Sequence, residues 1–166
     1  DRSSGTRDVI EWVMLHNLSG VEFNVYGVHL KASSGSSNAN QRLQETTILR
    51  NHLNNLAPNF FIVGAAKSGT TSLHFCLSQH NQIFMPTWKE PSFFAEKASG
   101  GVKDLDKYMK LFEDVTNEKA IGEASVAYLY DKNAPRAIYD VFPHSKIIMI
   151  LRNPIDMAYS LWGHMR

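Results

Sequence analysis

Two short stretches of the chain are apolar at almost every position: Phe60-Phe61-Ile62-Val63-Gly64, and Ile147-Ile148-Met149-Ile150-Leu151 after Lys146. A strand with one wet face alternates polar and apolar residues. An unbroken apolar run of this length fits a strand covered on both faces, as inside a parallel sheet. Residues 70–79, 104–113, 134–142 and the stretch from Pro154 onward read as helices, with Pro154 where a first helical turn favours proline. Residues 83–85 and 119–122 read as shorter strands. Strands alternating with helices predict an α/β fold, a parallel sheet flanked by helices.

The first third has a different rhythm. Residues 8–15 are rich in β-prone types, and in 22–30 Phe23, Val25, Gly27 and His29 fall on one side with Asn24, Tyr26, Val28 and Leu30 on the other. That is the two-residue period of a strand, and the turn signal Leu18-Ser19-Gly20 lets the pair form a β-hairpin. Residues 32–40 are almost all Ser, Gly, Asn and Ala and read as a flexible loop. Over 41–56, Leu43, Thr47, Leu53 and Leu56 recur near helical spacing until Ala57-Pro58-Asn59 ends the helix.

Composition narrows the partners. Of 166 residues 43% are hydrophobic and 20% charged, and the formal net charge is +1. A general nucleic-acid or membrane binder carries a basic excess or a basic face, so neither is expected. A small polyanion needs only a few local cations and stays open. The single cysteine, Cys76, cannot form an internal disulfide. No apolar run approaches the roughly 18–20 residues that span a bilayer, and no secretory signal is found. His74 and His80 lack metal-ligand spacing, and no metal is expected. Compartment and oligomeric state stay open.

Candidate chemistry gathers after the two buried runs. In Gly64-Ala65-Ala66-Lys67-Ser68-Gly69-Thr70-Thr71-Ser72 a small-residue loop leads into a helix whose first residues carry hydroxyls. A helix start offers free N–H groups and the positive end of the helix dipole. Lys67 adds a full charge, and Gly69 lets the backbone approach an anion closely. The plainer alternative is a strand-to-helix turn with Thr70 or Thr71 as N-cap. The lysine precedes the glycine here, whereas the usual nucleoside-triphosphate loop places it after the second glycine. Arg152 leaves the end of the second run, where α/β sheets place their ligands. Ser160 follows eight residues later, about two helical turns on, pointing to the same side. A guanidinium fork with a hydroxyl suits a phosphomonoester; the alternative pairs Arg152 with Asp156.

Both segments resemble those of sulfotransferases dependent on 3′-phosphoadenosine 5′-phosphosulfate (PAPS), of the heparan-sulfate and bacterial type. The order Lys67-Ser68-Gly69-Thr70 is similar to the family's 5′-phosphosulfate loop, and the stretch from Lys146 to Ser160 to its 3′-phosphate segment. The resemblance covers about residues 60–166. It implies a P-loop-like sheet, PAPS as co-substrate without a metal, and nucleotide contacts from Lys67, Ser68, Gly69, Thr70, Thr71, Ser72, Arg152 and Ser160. Trp88-Lys89-Glu90-Pro91-Ser92-Phe93-Phe94 is similar to the family's Lys-Glu-Pro-x-Phe-Phe stretch. This implies Glu90 as general base and Lys67 as the cation steadying the leaving phosphate, with Lys89 near nucleotide or acceptor. Glu90 as a surface carboxylate paired with Lys89 is the alternative. Gly122 to Leu129 also resembles a family segment near the acceptor, where Glu123 and Ser125 are either acceptor-side or structural. The implied acceptor is a hydroxyl or amine, carbohydrate by the same resemblance.

The first 58 residues are similar instead to a middle segment of the endonuclease/exonuclease/phosphatase superfamily, through Phe23 to Lys31, Arg42, Glu45 and a strand ending Val63-Gly64. There the strand continues into Gly-Asp-x-Asn; here it continues Gly64-Ala65-Ala66-Lys67, and the metal ligands of a two-metal phosphodiesterase are missing. The expected organisation is an N-terminal extension over 1–58, with hairpin and helix, and a truncated PAPS-binding domain over 59–166 whose turnover is in question. Two other readings stay open: a non-catalytic chimeric fragment, and a P-loop nucleotide kinase. The kinase needs a Mg²⁺-binding carboxylate after an apolar strand, where Arg152 stands.

Overall fold

The computed structural model describes residues 10–16, 21–28 and 59–165. The expected turn at 18–20, loop at 32–40 and helix at 41–56, with Arg42 and Glu45, lie outside the described residues.

Six strands form one sheet: β1 (Ile10–His16), β2 (Val21–Val28), β3 (Asn59–Ile62), β4 (Ile83–Phe84), β5 (Ala120–Ala124) and β6 (Lys146–Ile150), in the order β1-β2-β6-β3-β5-β4. The helices are α1 (Thr70–Ser78), α2 (Leu105–Lys110), α3 (Ala134–Val141) and α4 (Pro154–His164), and a short 3₁₀ turn covers Val126–Leu129. The expected α/β class is found. β1 and β2 pair antiparallel, Ile10 opposite Gly27 and His16 opposite Val21, as the hairpin reading requires. β2 then runs parallel to β6, so the hairpin is continuous with the sheet that β3, β4, β5 and β6 build in parallel.

The packing of β3 explains the apolar run that begins at Phe60. Phe60 and Ile62 pack on one face with Leu73 and Leu77 of α1 and with Ile148 and Ile150 of β6. Phe61 and Val63 pack on the other with Phe94, Tyr108, Tyr128 and Ile138. Each such side chain removed from water contributes about 1.5–3 kcal/mol. On the second face the aromatic rings meet edge to face, Phe61 and Phe94 at 5.8 Å between centroids and 83° between planes. β6 is less enclosed than its sequence suggests: Ile148 and Ile150 are buried, Ile147 and Met149 only in part, and Leu151 is 46% exposed.

Several element bounds depart from the pattern reading, three of them for an evident local reason. β4 stops at Phe84, because buried Pro86 has no N–H to give a ladder. β5 runs on to Ala124, through Glu123, a charged residue that reads as a strand end but is 1% exposed. α2 begins at Leu105 because Asp104 caps it, accepting from the Lys107 N–H at 2.9 Å. No helix among the described residues is long and apolar enough to cross a membrane.

Candidate functional site

Because β3 and β6 are parallel neighbours, their C-terminal ends open on the same edge. Their ladder continues past the strand ends: Val63 N–H donates to Ile148 O at 3.0 Å, and Ile150 N–H to Gly64 O at 2.7 Å. The loop after β3 therefore starts from a fixed point beside the end of β6.

Gly69 is the N-cap of α1 in the left-handed region, φ 97° and ψ 13°, and no side chain caps the helix. The threonine N-cap alternative is thus not what the structure adopts. Glycine takes this conformation without a Cβ penalty, and it leaves the first-turn N–H groups without a side-chain acceptor. Lys67 sits two residues earlier, also at positive φ (57°). Ser68 and Thr70 are buried, Ser72 half-buried and Thr71 exposed. The Ser68 hydroxyl donates to Ala66 O at 3.3 Å, and Ala66 N–H donates to the Tyr130 hydroxyl oxygen at 3.3 Å.

Arg152 joins the two segments. Its Nη1 donates to Lys67 O at 2.9 Å, so this group reaches the first loop rather than Asp156. Its Nε is, among the described residues, the buried side-chain nitrogen or oxygen that lacks a hydrogen-bond partner. A buried guanidinium N–H is costly to leave without an acceptor, so an oxygen of a bound anion would suit it. The cation of Lys67, the uncapped amides of α1 and the unsatisfied Arg152 Nε suit an anion with more than one phosphate-like group. Ser160 lies farther along α4, where it and Met157 are the half-buried positions between Pro154 and His164. No hydrogen bond links Ser160 to Arg152.

Glu90 has φ 67°, its N–H donates to Ala124 O at 3.0 Å, and its Oε1 meets Lys89 Nζ at 2.7 Å. The pairing raised as the alternative is therefore present, with the Glu90 side chain 42% exposed and Lys89 16%. Glu90 and Lys67 are not in hydrogen-bond contact. His74 on α1 is half-buried and donates from Nε2 to Pro86 O at 3.0 Å; burial pushes its pKa down against that bond, which raises it, and the nearby Lys89 charge adds to the lowering. Among the described residues no three His, Cys, Asp or Glu side chains gather as a metal set.

Glu123 is the most buried charged residue of the set. Its Oε2 accepts from the Tyr108 hydroxyl at 2.9 Å and the Tyr128 hydroxyl at 2.8 Å, and its Oε1 from the Ser125 hydroxyl at 2.5 Å. Burial raises its pKa, while the three hydroxyl bonds hold it down and the charge of Glu90 raises it further. Burial, then the Glu123 charge, pushes both phenols up, so they stay protonated and donate. Sequence reasoning reached Glu123 and Ser125 but missed Tyr108, Tyr128, Tyr130 and Ser92. Tyr128 lay inside the segment that drew attention, but Tyr108, on α2, gave no signal. A cleft of about 390 Å³ runs past Tyr130, lined also by Glu96, Lys97, Asp131, Lys132 and Asn133.

Four parallel strands flanked by helices, with the loops after β3 and β6 opening at one edge, define the class of α/β proteins, and comparison with known proteins narrows it. Residues 57–166 match the sulfotransferase domain family, and the chain belongs to that family. It is similar to a sulfotransferase crystal structure from Alicyclobacillus acidocaldarius, at 45% identity and a TM-score of 0.61 over 65% of this chain and 49% of that one. It is 32% identical over 103 residues to membrane-associated sulfotransferase kil1 of Dictyostelium discoideum, covering 62% of this chain and 22% of that protein. It is 36% identical over 115 residues to human bifunctional heparan sulfate N-deacetylase/N-sulfotransferase 2, covering 66% of this chain and 13% of that protein. The chain thus spans less than a quarter of the length of these two curated relatives.

Proposed function

We propose that the chain transfers a sulfuryl group from PAPS to a hydroxyl or amine of a carbohydrate, with residues 59–166 as the transferring domain and residues 1–58 as an extension that adds a hairpin to its sheet. One observation carries the reading: the hydrogen bond from Arg152 Nη1 to Lys67 O, which sets two phosphate-directed groups side by side at the ends of neighbouring parallel strands. Lys67, Ser68, Gly69, Thr70, Thr71 and Ser72 would hold the 5′-phosphosulfate. Arg152, through its unsatisfied Nε, and Ser160 would hold the 3′-phosphate. The family and the heparan sulfate N-sulfotransferase relative support sulfuryl transfer and point to carbohydrate.

In the step, the acceptor oxygen or nitrogen bonds to sulfur while the bond from sulfur to the 5′-phosphate oxygen breaks. Glu90 takes the acceptor's proton, for which it must leave its pairing with Lys89. Adenosine 3′,5′-bisphosphate departs, and Lys67 offsets the charge growing on its oxygen. The step needs no metal.

The test is a calorimetric titration of the full chain with adenosine 3′,5′-bisphosphate, ATP–Mg²⁺ serving as comparison. Saturable binding that favours the bisphosphate and is lost in Lys67→Ala and Arg152→Ala is the expected result. Preference for ATP–Mg²⁺ would instead favour a nucleotide kinase, and a folded chain that binds neither would favour a non-catalytic fragment.

A further inference from the structure

The turn that carries Glu90 is fastened at alternate residues to one short segment. Glu90 N–H donates to Ala124 O at 3.0 Å, Ser92 N–H to Ser125 Oγ at 2.9 Å, and Phe94 N–H makes a longer contact to the Tyr128 hydroxyl at 3.5 Å. Two of these acceptors are hydroxyls, and both give their own proton to the same carboxylate, Glu123. A hydroxyl has one proton and two lone pairs. With the protons of Ser125 and Tyr128 committed to Glu123, their lone pairs are left to face the N–H groups of the turn. The turn needs outside support, because Glu90 (φ 67°) and Ser92 (φ 49°) lie in a region that L side chains rarely adopt. Inside the turn the Ser92 hydroxyl donates to Glu90 O at 3.3 Å and Ala95 N–H donates to Ser92 O at 3.2 Å, while Val102 N–H holds Pro91 O at 2.7 Å from the far side.

We propose that Glu123, acting through the Ser125 hydroxyl, is the positioning residue that sets the Glu90 turn for sulfuryl transfer. The proposal rests on the reading of Glu90 as the base. Glu123 is 1% exposed and works through its neighbours rather than on the substrate. Above its folded pKa the carboxylate is ionised and an acceptor only, so there it forces every surrounding hydroxyl to donate inward. Glutamine has the same shape but presents an NH₂ to one of them. That hydroxyl must then turn its proton outward, toward an N–H of the turn, and two donors face each other. Tyr108 separates this role from a merely structural one: it donates to the same carboxylate, yet it accepts nothing from the turn.

The test measures amide hydrogen exchange by NMR on the full chain, in Glu123→Gln, Ser125→Ala and Tyr108→Phe. The Ser92 amide should lose at least about tenfold of its protection in the first two variants. The core amides of Val63 and Ile150 should keep theirs. Tyr108→Phe should lower Tm but leave Ser92 protected. In a sulfuryl-transfer assay with PAPS and a carbohydrate acceptor, Glu123→Gln should lower kcat by about ten- to a hundredfold, as displacement of a catalytic group does, with KM for PAPS unchanged. Wild-type protection of Ser92 in Glu123→Gln overturns the proposal. So does an unchanged kcat in that variant where Glu90→Gln abolishes turnover. If Glu123→Gln does not fold, Ser125→Ala decides the exchange experiment alone. If Glu90→Gln turns over normally, or the wild-type chain shows no turnover, the reading of Glu90 as base falls, and Ser92 exchange still decides whether Glu123 holds the turn.

Discussion

Arg152 and Lys67, 85 positions apart in the chain, are joined by a 2.9 Å hydrogen bond from the guanidinium of one to the backbone carbonyl of the other. The bond uses the arginine's Nη1 and leaves Nε buried without a partner. One side chain thus holds the first loop in place and keeps a charged donor in reserve beside it.

This makes Arg152 hard to replace even by another cation. Lysine has a single point charge and no fork, so it can hold the Lys67 carbonyl or a phosphate but not both. Arg152→Lys should therefore bind adenosine 3′,5′-bisphosphate about ten- to a hundredfold more weakly, from the loss of a charge-assisted hydrogen bond of about 1.5–3 kcal/mol. Calorimetry reads the change directly. Affinity equal to wild type would mean that Arg152 holds the loop only.

Gly69 offers a test of the loop's backbone. At φ 97° an alanine Cβ is strained, and Gly69→Ala should lower stability by about 1 kcal/mol or more. The strain can be relieved only by moving the start of α1, so bisphosphate affinity should fall as well. Denaturant midpoint and calorimetric affinity measure the two effects separately. A loss of stability with full affinity would place the anion away from these amides.

Most of this edge was legible in the sequence because its signals are local. A wholly apolar run marks β3, and the small loop that follows, with Lys67 and Gly69, points to an anion. The side-chain network behind Glu90 was not legible. It depends on Tyr108 of α2 meeting Glu123 of β5 across 15 positions, and no short-range pattern encodes that meeting. The end of β5 was misread for a related reason. A charged Glu123 argues against a strand interior until its three hydroxyl partners are known. The pairing of Glu90 with Lys89 was visible as an alternative, since adjacent opposite charges are one of the few contacts that sequence alone suggests.

Gly122 is needed for space rather than for its backbone angles. A Cβ there would lie 2.2 Å from a ring carbon of Phe60 and 2.5 Å from Met85 Sδ. Phe60 is 3% exposed in the centre of the sheet and cannot swing away cheaply. Gly122→Ala should cost about 1–3 kcal/mol, the usual penalty of overpacking. Chemical denaturation checks it, and truncating Met85 in the same chain should recover little because the Phe60 ring still obstructs.

The buried carboxylate of Glu123 should leave a signature in the pH dependence of stability. Its folded pKa lies above 4.5, the ordinary glutamate value, chiefly because burial disfavours the charge. Between the ordinary value and the raised one, the folded chain holds a proton that the unfolded chain has released. Stability rises with pH only where the unfolded state binds more protons, so here it must fall. The Glu123 contribution is full below the ordinary value, declines as pH climbs through the folded value, and is flat above it. Half-buried Glu118 and Asp131, whose pKa values are lowered by backbone N–H bonds, slope the other way but do so equally in wild type and Glu123→Gln. The stability difference between wild type and that variant, measured by urea unfolding at a series of pH values, should therefore decline as pH rises from the ordinary glutamate value. A difference that stays flat would mean the three hydroxyls offset the burial fully, and Glu123 would then be an ordinary carboxylate in an unusual place.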